Sequence, residues 1–393
     1  MQVLSAPRVV AGHRVLSPGA VVVEGDRIAA VLPGRPAAHR DHLRLEHGIL
    51  APGLVDLQVN GYGGVDLARA GPEGWARVAE ACAATGVTSF LPTFITAPVE
   101  ALAARLEQAR AARAGQTRAT ATRVRPGARI LGVHMEGPFL SPARAGAHDP
   151  GAMLDPAPEL VDRLLEAGEG ILALMTLAPE RDGALDAVKR LAGAGVVVSV
   201  GHSDATAAEV AAAADAGARK VTHLFNAQRG LGHREPGVAG QGLADPRLTL
   251  GLIADLHHVH PAVCQVVLAA AGGRVALVTD ATAAAGMPPG RYDLGGVPVE
   301  LPPEGPPRRA DGTIAGSALR LDEAVANAAG LGLGLADAVG AATRVPADLL
   351  GRADLGRLAP GALADLVWLG DDLRTLATWV GGARAPAPTS EEA

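Results

Sequence analysis

The sequence GVHMEGPFLSPARAGAH spans residues 132–148, and the segment just before it is apolar apart from one arginine. Such an apolar run is typical of a buried strand. His134 and Glu136 lie at its end, where Gly137 and Pro138 prevent regular structure from continuing. An imidazole and a carboxylate at the carboxyl end of a buried parallel strand are typical of the active-site face of an α/β barrel. The alternative is that neighbouring backbone groups satisfy both side chains.

Segments of this kind recur between residues 51 and 348. Apolar strand-like runs alternate there with alanine-rich helical runs, which indicates parallel strands joined by crossover helices. The predicted strands cover residues 54–59, 86–91, 130–134, 171–177, 196–200, 220–223, 249–253 and 274–279. The predicted helices cover residues 98–113, 158–167, 182–192, 205–216 and 261–271. Eight strands over about 300 residues predict a (β/α)8 barrel of the TIM type.

An open, doubly wound sheet is the alternative, because a single sequence does not show whether the sheet closes. No G-x-G-x-x-G motif follows a predicted strand in the right context, which disfavours a dinucleotide site. The barrel is therefore the predicted fold.

The two ends of the chain show short strand patterns without a helical period. In residues 20–31, the turn sequence EGDR separates two apolar arms, as in a β-hairpin. Residues 360–369 read as a turn followed by a strand. We expect residues 1–50 and 349–384 to form one small β-sandwich domain beside a catalytic domain of residues 51–348. The polar residues 385–393 are predicted to be a disordered tail.

Composition limits the classes of protein to consider. Of 393 residues, 48% are hydrophobic and 19% charged, so the chain can bury a sizeable core. The net charge of −6 gives no indication of a nucleic-acid partner. Cys82 and Cys264 are too few for a disulfide framework, and we see neither a signal peptide nor a membrane span. These features predict a cytoplasmic protein.

Two further segments are predicted to be exposed. Residues 110–129 are rich in arginine but contain no aromatic residue, so a solvated loop is favoured over an anion-binding patch. Residues 302–309 are rich in proline and resemble an exposed turn within a β insertion.

Polar side chains follow most of the predicted strands. Because a barrel brings the carboxyl ends of its strands to one mouth, we expect these side chains to lie close together. They are Gln58, Asn60, His134, Glu136, His202, Asp204, His223, Asn226, Asp255, His257, His258, His260 and Asp280.

Glu136, His202 and His223 predict a divalent metal site. Two neutral imidazoles and one carboxylate, with a position left for water, form a ligand set of the catalytic zinc type. Such a metal lowers the pKa of a bound water toward about 7. Asp280 would then be a general base that takes the water proton and returns it to a leaving group. The alternative is a set of hydrogen-bonded polar residues in the core.

Two loops could contact a ligand. Arg234 lies among glycines in GHREPG and could hold a phosphate, although a surface salt bridge with Glu235 or Asp245 explains it equally well. The sequence GTIAGS, residues 312–317, could present backbone to a ligand, or it could be an ordinary turn before a helix.

At these residues the chain resembles the N-acetylglucosamine-6-phosphate deacetylases of the amidohydrolase superfamily. The resemblance runs from about residue 50 to the strand ending at Leu369. The motifs that carry it are LAPGLVDLQVNG, HMEGPFLSP with GAH, VGHSDAT, THLFNA, GHREPG, IADLHHVH, VTDATAAAG and GTIAGS.

The resemblance implies roles for individual residues. Glu136, His202 and His223 would hold the metal, and Asp280 would be the catalytic acid and base. The implied substrate-binding residues are Ala147, His148, Asn226, Ala227, Arg234, His258, Ile314, Ala315, Gly316 and Ser317. The resemblance also implies a homodimer in which Arg234 reaches the phosphate of the substrate bound in the neighbouring subunit. The small β domain built from both chain ends is also implied.

One departure concerns the metal. Many amidohydrolases carry His-x-His at the end of the first barrel strand, whereas this chain has Gln58 and Asn60 there. Since neutral amides are poor substitutes for imidazole, we predict one divalent ion per chain. Zinc is expected in the first place, and iron, manganese and cobalt also accept this ligand set.

The predicted activity is hydrolysis of the acetamide of N-acetylglucosamine 6-phosphate to glucosamine 6-phosphate and acetate. His258 and Arg234 would anchor the phosphate, and His148 or a neighbour would help to stabilise the oxyanion. One alternative is a deacetylase of another amino sugar, such as N-acetylgalactosamine 6-phosphate or an unphosphorylated sugar. Another is a non-catalytic sugar-phosphate sensor.

Overall fold

The structure is a computed structural model that describes residues 1–36, 41–121 and 126–386, without the side chains of residues 117–121. Residues 387–393 of the predicted tail therefore lie outside the described residues. Ala385, which the prediction places in the tail, is buried, and its N–H donates a hydrogen bond to the carbonyl of Thr378. The boundary of the tail and its disorder stay predictions.

Eight parallel strands, labelled β1 to β8, build the centre of the molecule. Each predicted strand is present, although several are shorter than predicted because their polar ends leave the sheet to form turns. The strands are β1 Leu54–Val59, β2 Val87–Ile95, β3 Val133–Glu136, β4 Leu172–Leu177, β5 Val197–Val200, β6 Lys220–Val221, β7 Thr249–Leu252 and β8 Val275–Leu277. A short strand, Arg129–Ile130, pairs with β2 ahead of β3.

The strands follow one another around the sheet in chain order. The last strand meets the first through a parallel bridge between Val59 and Ala281, and the N–H of Asn60 donates to the carbonyl of Ala281 at 2.8 Å. This connection closes the sheet and excludes the open, doubly wound alternative. The predicted (β/α)8 barrel is confirmed.

Ten helices accompany the strands in the described residues. They are α1 Pro72–Ala84, α2 Val99–Ala121, α3 Pro158–Ala167, α4 Ala184–Gly193, α5 Ala207–Ala216, α6 Gly237–Ala244, α7 Pro261–Ala270, α8 Leu321–Gly330, α9 Leu335–Ala341 and α10 Arg344–Leu349. None of the described helices is both long and apolar enough to cross a membrane. The loop predicted for residues 110–129 is wrong up to Ala121, because alanine, arginine and glutamine are strong helix formers and prolong α2.

Both chain ends build the second unit. A four-stranded sheet consists, in spatial order, of Arg27–Pro33, Gly19–Glu24, Gln2–Ala6 and His42–Arg44. A six-stranded sheet consists of Ala383–Arg384, Thr375–Val380, Leu366–Leu369, Ile49–Pro52, Arg8–Ala11 and Arg14–Leu16. Leu4, Val21, Leu50, Leu366 and Trp379 belong to one apolar cluster that joins the two sheets. The predicted sandwich of both ends is confirmed, whereas the boundaries at residues 50, 348 and 384 stay predictions.

Polar groups, rather than aliphatic ones alone, occupy the barrel below the strand ends. Nε2 of His134 lies 2.8 Å from the hydroxyl of Thr176, which lies 2.7 Å from that of Thr222. The hydroxyl of Ser199 continues the chain at 2.6 Å from Thr222. Buried polar groups are stable only when they are hydrogen-bonded. This row of hydrogen-bonded side chains therefore supports the strand ends that lie above it.

An insertion follows β8. Its antiparallel strands, Gly290–Leu294 and Val297–Leu301, form a hairpin, and Arg308 pairs through its backbone with both Glu300 and Ile314. The β insertion predicted around residues 302–309 is therefore present. It brings the GTIAGS segment to the mouth of the barrel, where it flanks Asp280.

The packing of the sandwich predicts that substitutions of two residues in the strand Thr375–Val380 change stability by different amounts. Trp379→Ala is expected to lower the free energy of unfolding by about 3–5 kcal/mol, because it leaves a cavity in the apolar cluster between the two sheets of the sandwich. Leu376→Ala is the matched control, since Leu376 is 44% exposed, and a change within about 0.5 kcal/mol is expected. Urea unfolding followed by circular dichroism measures both, and equal effects would contradict this packing.

Candidate active site

Glu136 lies at the centre of a buried cluster at the mouth of the barrel. Its Oε1 lies 2.8 Å from Nε2 of His223 and 3.2 Å from Nε2 of His202. The two imidazole Nε2 atoms lie 3.2 Å apart. Three atoms that carry lone pairs therefore converge on one point, as expected of ligands for a divalent ion. The structure thus brings together the three residues predicted to hold the metal.

The backbone at these positions turns sharply. His202, His223 and Asp280 have φ angles of 47°, 23° and 52°, in the left-handed region that residues other than glycine rarely adopt. Each residue follows a barrel strand, so the turn directs the chain away from the sheet while the side chain stays at the mouth. Strain of this kind is concentrated at functional sites, where the surrounding structure holds it in place.

The hydrogen bonds of the remote ring nitrogens separate the roles of the histidines. Nδ1 of His202 lies 3.0 Å from the carbonyl of Arg144, so it donates and leaves the Nε2 lone pair free. Nδ1 of His148 instead accepts the backbone N–H of Thr96 at 3.2 Å, and it also lies 2.9 Å from the Thr96 hydroxyl. Accepting this N–H leaves the ring proton on Nε2. His148 also lies within 4.8 Å of Glu136 and His202. With the ring proton on Nε2, His148 is a hydrogen-bond donor, so we assign the metal to Glu136, His202 and His223.

The charge states of Glu136 and His148 agree with these roles. Burial acts to raise the pKa of Glu136, but the hydrogen bonds with His202 and His223 outweigh it and hold the pKa well below its usual range. Glu136 is therefore a carboxylate. Burial, followed by the charge of His202, lowers the pKa of His148 well below its usual value, so this imidazole is neutral.

Asp280 faces the same cluster from the end of β8. Its Oδ1 accepts hydrogen bonds from the amides of Asn60 at 2.7 Å and Gln58 at 3.1 Å. Burial, together with the nearby charge of Glu136, raises the pKa of Asp280 to about 6. A carboxylate with a pKa this close to neutrality can both accept and return a proton, which is what general acid–base catalysis requires.

The Gln58 side chain spans the space between the two carboxylates. Its Nε2 donates to both oxygens of Glu136, at 3.3 and 3.2 Å, as well as to Asp280. An amide nitrogen has no lone pair to offer a metal, and here it neutralises carboxylate charge instead. This arrangement supports the prediction of a single ion.

A cavity of about 480 Å³ opens over the cluster. The predicted substrate residues that line it are Ala147, His148, Asn226, Ala227, His258, Ile314 and Gly316. Two others do not line it. Ala315 packs into an apolar cluster beneath the insertion, and Ser317 donates its backbone N–H to the carbonyl of Asp280 at 2.8 Å. Ser317 therefore supports Asp280, and its hydroxyl donates to the carbonyl of Thr279 at 2.5 Å. Its predicted contact with the substrate stays a prediction.

His258 is held at the far side of this cavity. Its Nδ1 lies 2.6 Å from Oδ2 of Asp255, whose other oxygen accepts the backbone N–H of His258 at 2.9 Å. Burial alone would raise the pKa of Asp255, but the hydrogen bond with His258 lowers it overall. The aspartate is ionised and directs the opposite side of the imidazole toward the cavity.

Arg234 lies outside the cavity of its own chain. It is exposed, and within the described residues it forms no ion pair. Glu235 instead accepts the backbone N–H groups of Ala207 and Gly237, and Asp245 is bound to Arg247. The predicted salt-bridge alternative is therefore absent from the described chain.

Sequence reasoning missed two arginines that line the cavity. Arg144 belongs to the GPFLSPARAGAH segment, and its side chain is bound to Asp204 at 2.7 Å. Arg308 lies in the proline-rich insertion and donates to the carbonyl of Gly312 at 2.9 Å. No local sequence pattern identifies either arginine as a cavity residue, because only the tertiary fold brings these segments to the barrel mouth.

Three other histidines near the strand ends lie outside the cavity lining. His134 is buried within the hydrogen-bonded chain of the barrel, and burial lowers its pKa to about 3. His257 is exposed, and His260 caps α7 by accepting the N–H of Ala262.

A second cavity of about 590 Å³ lies between α1 and α2. Its lining includes Trp75 and several alanines, and its polar side chains are those of Glu80, Gln108 and Gln116. It contains no imidazole or paired carboxylates, so we assign the chemistry to the smaller cavity at the barrel mouth.

A closed (β/α)8 barrel with imidazoles, a carboxylate and a separate aspartate at its mouth defines the class of metal-assisted hydrolases. The comparisons with known proteins agree, since the model of the amidohydrolase family matches residues 49–389. The chain therefore belongs to the amidohydrolase family.

Its relatives include sugar-phosphate deacetylases. The chain is 40% identical to N-acetylgalactosamine-6-phosphate deacetylase of Escherichia coli O157:H7, over 86% of this chain and 88% of that protein. It is 36% identical to N-acetylglucosamine-6-phosphate deacetylase of Vibrio furnissii, over 96% and 93%. A solved structure of a mutant of the Mycobacterium smegmatis N-acetyl-D-glucosamine-6-phosphate deacetylase, in complex with N-acetyl-D-glucosamine-6-phosphate, is 40% identical, with a TM-score of 0.91 and 98% coverage of both chains.

The arrangement of the histidines predicts which of their alanine variants still bind a metal ion. After loading with zinc and dialysis, His223→Ala and His202→Ala are expected to lose the ion, whereas His148→Ala keeps about one ion per chain. Exposed His257→Ala is the matched control and is expected to retain the ion. Metal analysis of the four variants measures this, and loss of zinc from His148→Ala would contradict the assignment.

Proposed function

We propose that this chain is a zinc-dependent, homodimeric, cytoplasmic enzyme that hydrolyses the acetamide of N-acetylglucosamine 6-phosphate to glucosamine 6-phosphate and acetate. The observation that carries the proposal is the convergence of the Glu136 cluster and Asp280 on one cavity at the barrel mouth. The names of the relatives support the substrate class. Both cysteines are free and buried, which supports a reducing compartment.

Glu136, His202 and His223, which all line the cavity, would hold the ion. When bound, zinc supplies a Lewis acid that acidifies a water and polarises a carbonyl oxygen. The amides of Gln58 and Asn60 hold Oδ1 of the second carboxylate, Asp280. Its other oxygen, Oδ2, therefore remains free to accept and donate protons.

Asp280 would perform the proton transfers. It takes the proton of the attacking water as a C–O bond forms at the acetyl carbon. It then delivers this proton to the sugar nitrogen as the C–N bond breaks, so that acetate and the amine leave. The raised pKa of Asp280 suits both steps.

His148 would stabilise the negative charge that develops on the acetyl oxygen. Its Nε2 carries a proton, because Nδ1 accepts the N–H of Thr96, and it lies 3.8 Å from Oε2 of Glu136. A donor fixed in advance stabilises an oxyanion more than one that must reorient.

The phosphate would bind away from the reacting bond. His258, oriented by Asp255, presents its free ring nitrogen from the far side of the cavity. Arg234 would reach the phosphate in the partner subunit, since it lies outside the cavity of its own chain. Such remote contacts supply binding energy that positions the acetamide.

The second candidate substrate is N-acetylgalactosamine 6-phosphate, because the Escherichia coli relative with 40% identity carries that name. The two sugars differ only in the configuration at one ring carbon, so the acetamide chemistry is the same. A non-catalytic sensor is disfavoured, since a protein that only binds sugar phosphates needs no proton acceptor beside a metal site.

The function is tested by acetate release from three substrates, N-acetylglucosamine 6-phosphate, N-acetylgalactosamine 6-phosphate and N-acetylglucosamine. The highest kcat/KM is expected for the first. Asp280→Asn is expected to lose about 10²–10⁴-fold in kcat, because the amide cannot accept the water proton. Zinc content is measured on the same preparations, and retained zinc shows that the loss is chemical. Unchanged turnover in this variant would contradict the mechanism.

The role of Arg234 across the dimer has its own test. Arg234→Ala is expected to raise KM for the phosphosugar at least about tenfold, because a charge-assisted contact is lost. Mixing this variant with Asp280→Asn subunits should restore turnover, since a hybrid dimer contains one site with both groups intact. Exposed Arg14→Ala is the matched control. If Arg234→Ala has an unchanged KM, or if mixing restores nothing, the arginine does not act across the dimer.

A further inference from the structure

We infer that Asp204 is a positioning residue that holds together three loops of the active site and, through Arg144, fixes the ring of His202. The inference rests on the proposed function, because it concerns how the same site is held in shape.

The carboxylate of Asp204 lies between two guanidinium groups. Its Oδ1 accepts from Nε and Nη2 of Arg144 at 2.9 and 2.7 Å. Its Oδ2 accepts from Nη2 of Arg229 at 2.8 Å. A carboxylate with a two-pronged contact on one oxygen and a second cation on the other has little freedom to move.

These three residues come from three different loops. Arg144 lies in the loop after β3, which also carries His148. Asp204 follows β5 and lies two residues beyond His202, while Arg229 lies in the loop after β6, together with Asn226. One side chain therefore connects the segments that supply an oxyanion donor, a metal ligand and a wall of the cavity.

The connection reaches His202 through the backbone of Arg144. The Arg144 carbonyl accepts the Nδ1 proton of His202 at 3.0 Å, which selects the tautomer whose Nε2 can bind a metal. The backbone of the Pro142–Arg144 turn is also held, because the N–H of Ser141 donates to the carbonyl of His202 and the N–H of Arg144 donates to that of Ser141, both at 2.9 Å. The ion pair between Arg144 and Asp204 is a further attachment of this turn, and through it Asp204 restrains the carbonyl.

Asp204 is itself held in place. Its backbone N–H donates to Oε1 of Glu180 at 2.5 Å, and the hydroxyl of Ser203 donates to Oε2 at 2.7 Å. Thr206 then begins α5 with a capping box, in which Thr206 and Glu209 satisfy each other's backbone N–H groups. The carboxylate therefore projects from a rigid strand-to-helix connection.

The expected changes in stability and in metal affinity distinguish a positioning role of Asp204 from a contribution to stability alone. The Asp204 side chain is 32% exposed, and exposed ion pairs contribute little to global stability. The loss of a group that orients a metal-binding histidine, in contrast, typically weakens metal binding by about 10–100-fold. The two roles therefore predict different outcomes for the same substitution.

The experiment compares Asp204→Asn with a matched control, Asp354→Asn. Asp354 also accepts two bonds from one arginine, Arg352, and both pairs have side-chain exposures of 37% and 32%. Asp354 lies away from the cavity lining. Zinc affinity of the full-length protein is measured by competition with a chromophoric chelator, and thermal unfolding is recorded in parallel.

Asp204→Asn is expected to bind zinc at least about tenfold more weakly than the wild type. Amide hydrogen exchange of the metal-free protein should be faster in residues 141–148. Arg144→Ala should reproduce the loss of zinc affinity, and the double variant should lose no more, since both substitutions break one connection. Asp354→Asn should match the wild type.

Wild-type zinc affinity and loop exchange in Asp204→Asn would overturn the inference, as would equal losses in Asp204→Asn and Asp354→Asn. Acetate release tests the proposed function separately. A wild type that binds zinc but releases no acetate refutes the deacetylase activity, while the zinc comparison still decides the role of Asp204. A wild type that binds no zinc refutes both.

Discussion

The burial of the Glu136 carboxylate is the constraint on which the site depends. Only 2% of this residue is exposed, and removing a charged group from water is costly unless partners compensate it. The compensation comes from His202, His223 and the Gln58 amide, which belong to three other segments of the chain. The closure of the barrel, the left-handed turns after its strands and the loops at its mouth all keep these groups within reach of one carboxylate.

The sequence predicts those parts that local patterns determine. The barrel follows from apolar strands that alternate with alanine-rich helices, and the sandwich follows from strand patterns at both chain ends. The cluster of Glu136, His202 and His223 could be predicted because each residue lies at the end of a strand or within two residues of it, and strand ends converge in a barrel. The tautomers of His148 and His202 were not accessible, because they depend on Thr96 and Arg144, which are distant in sequence.

What local patterns leave open is decided by tertiary contacts. Arg308 reaches the cavity only because the insertion folds back over the mouth, and Ser317 turns out to support Asp280 rather than line the cavity. The arginine-rich end of α2 was predicted as a loop because it lacks aromatic residues, a criterion that leaves out the helix propensity of its alanine, arginine and glutamine residues. The connection made by Asp204 joins three loops, so no window of sequence contains it.

The most direct test of this account is the anomalous-scattering map of zinc-loaded crystals, recorded at the zinc edge. The account predicts a single peak, bound by the carboxylate of Glu136 and by Nε2 of His202 and His223 at about 2.0–2.1 Å from each nitrogen. Gln58 should remain hydrogen-bonded between the carboxylates. A second peak beside Gln58 and Asn60, or a zinc ion bound by His148, would contradict it.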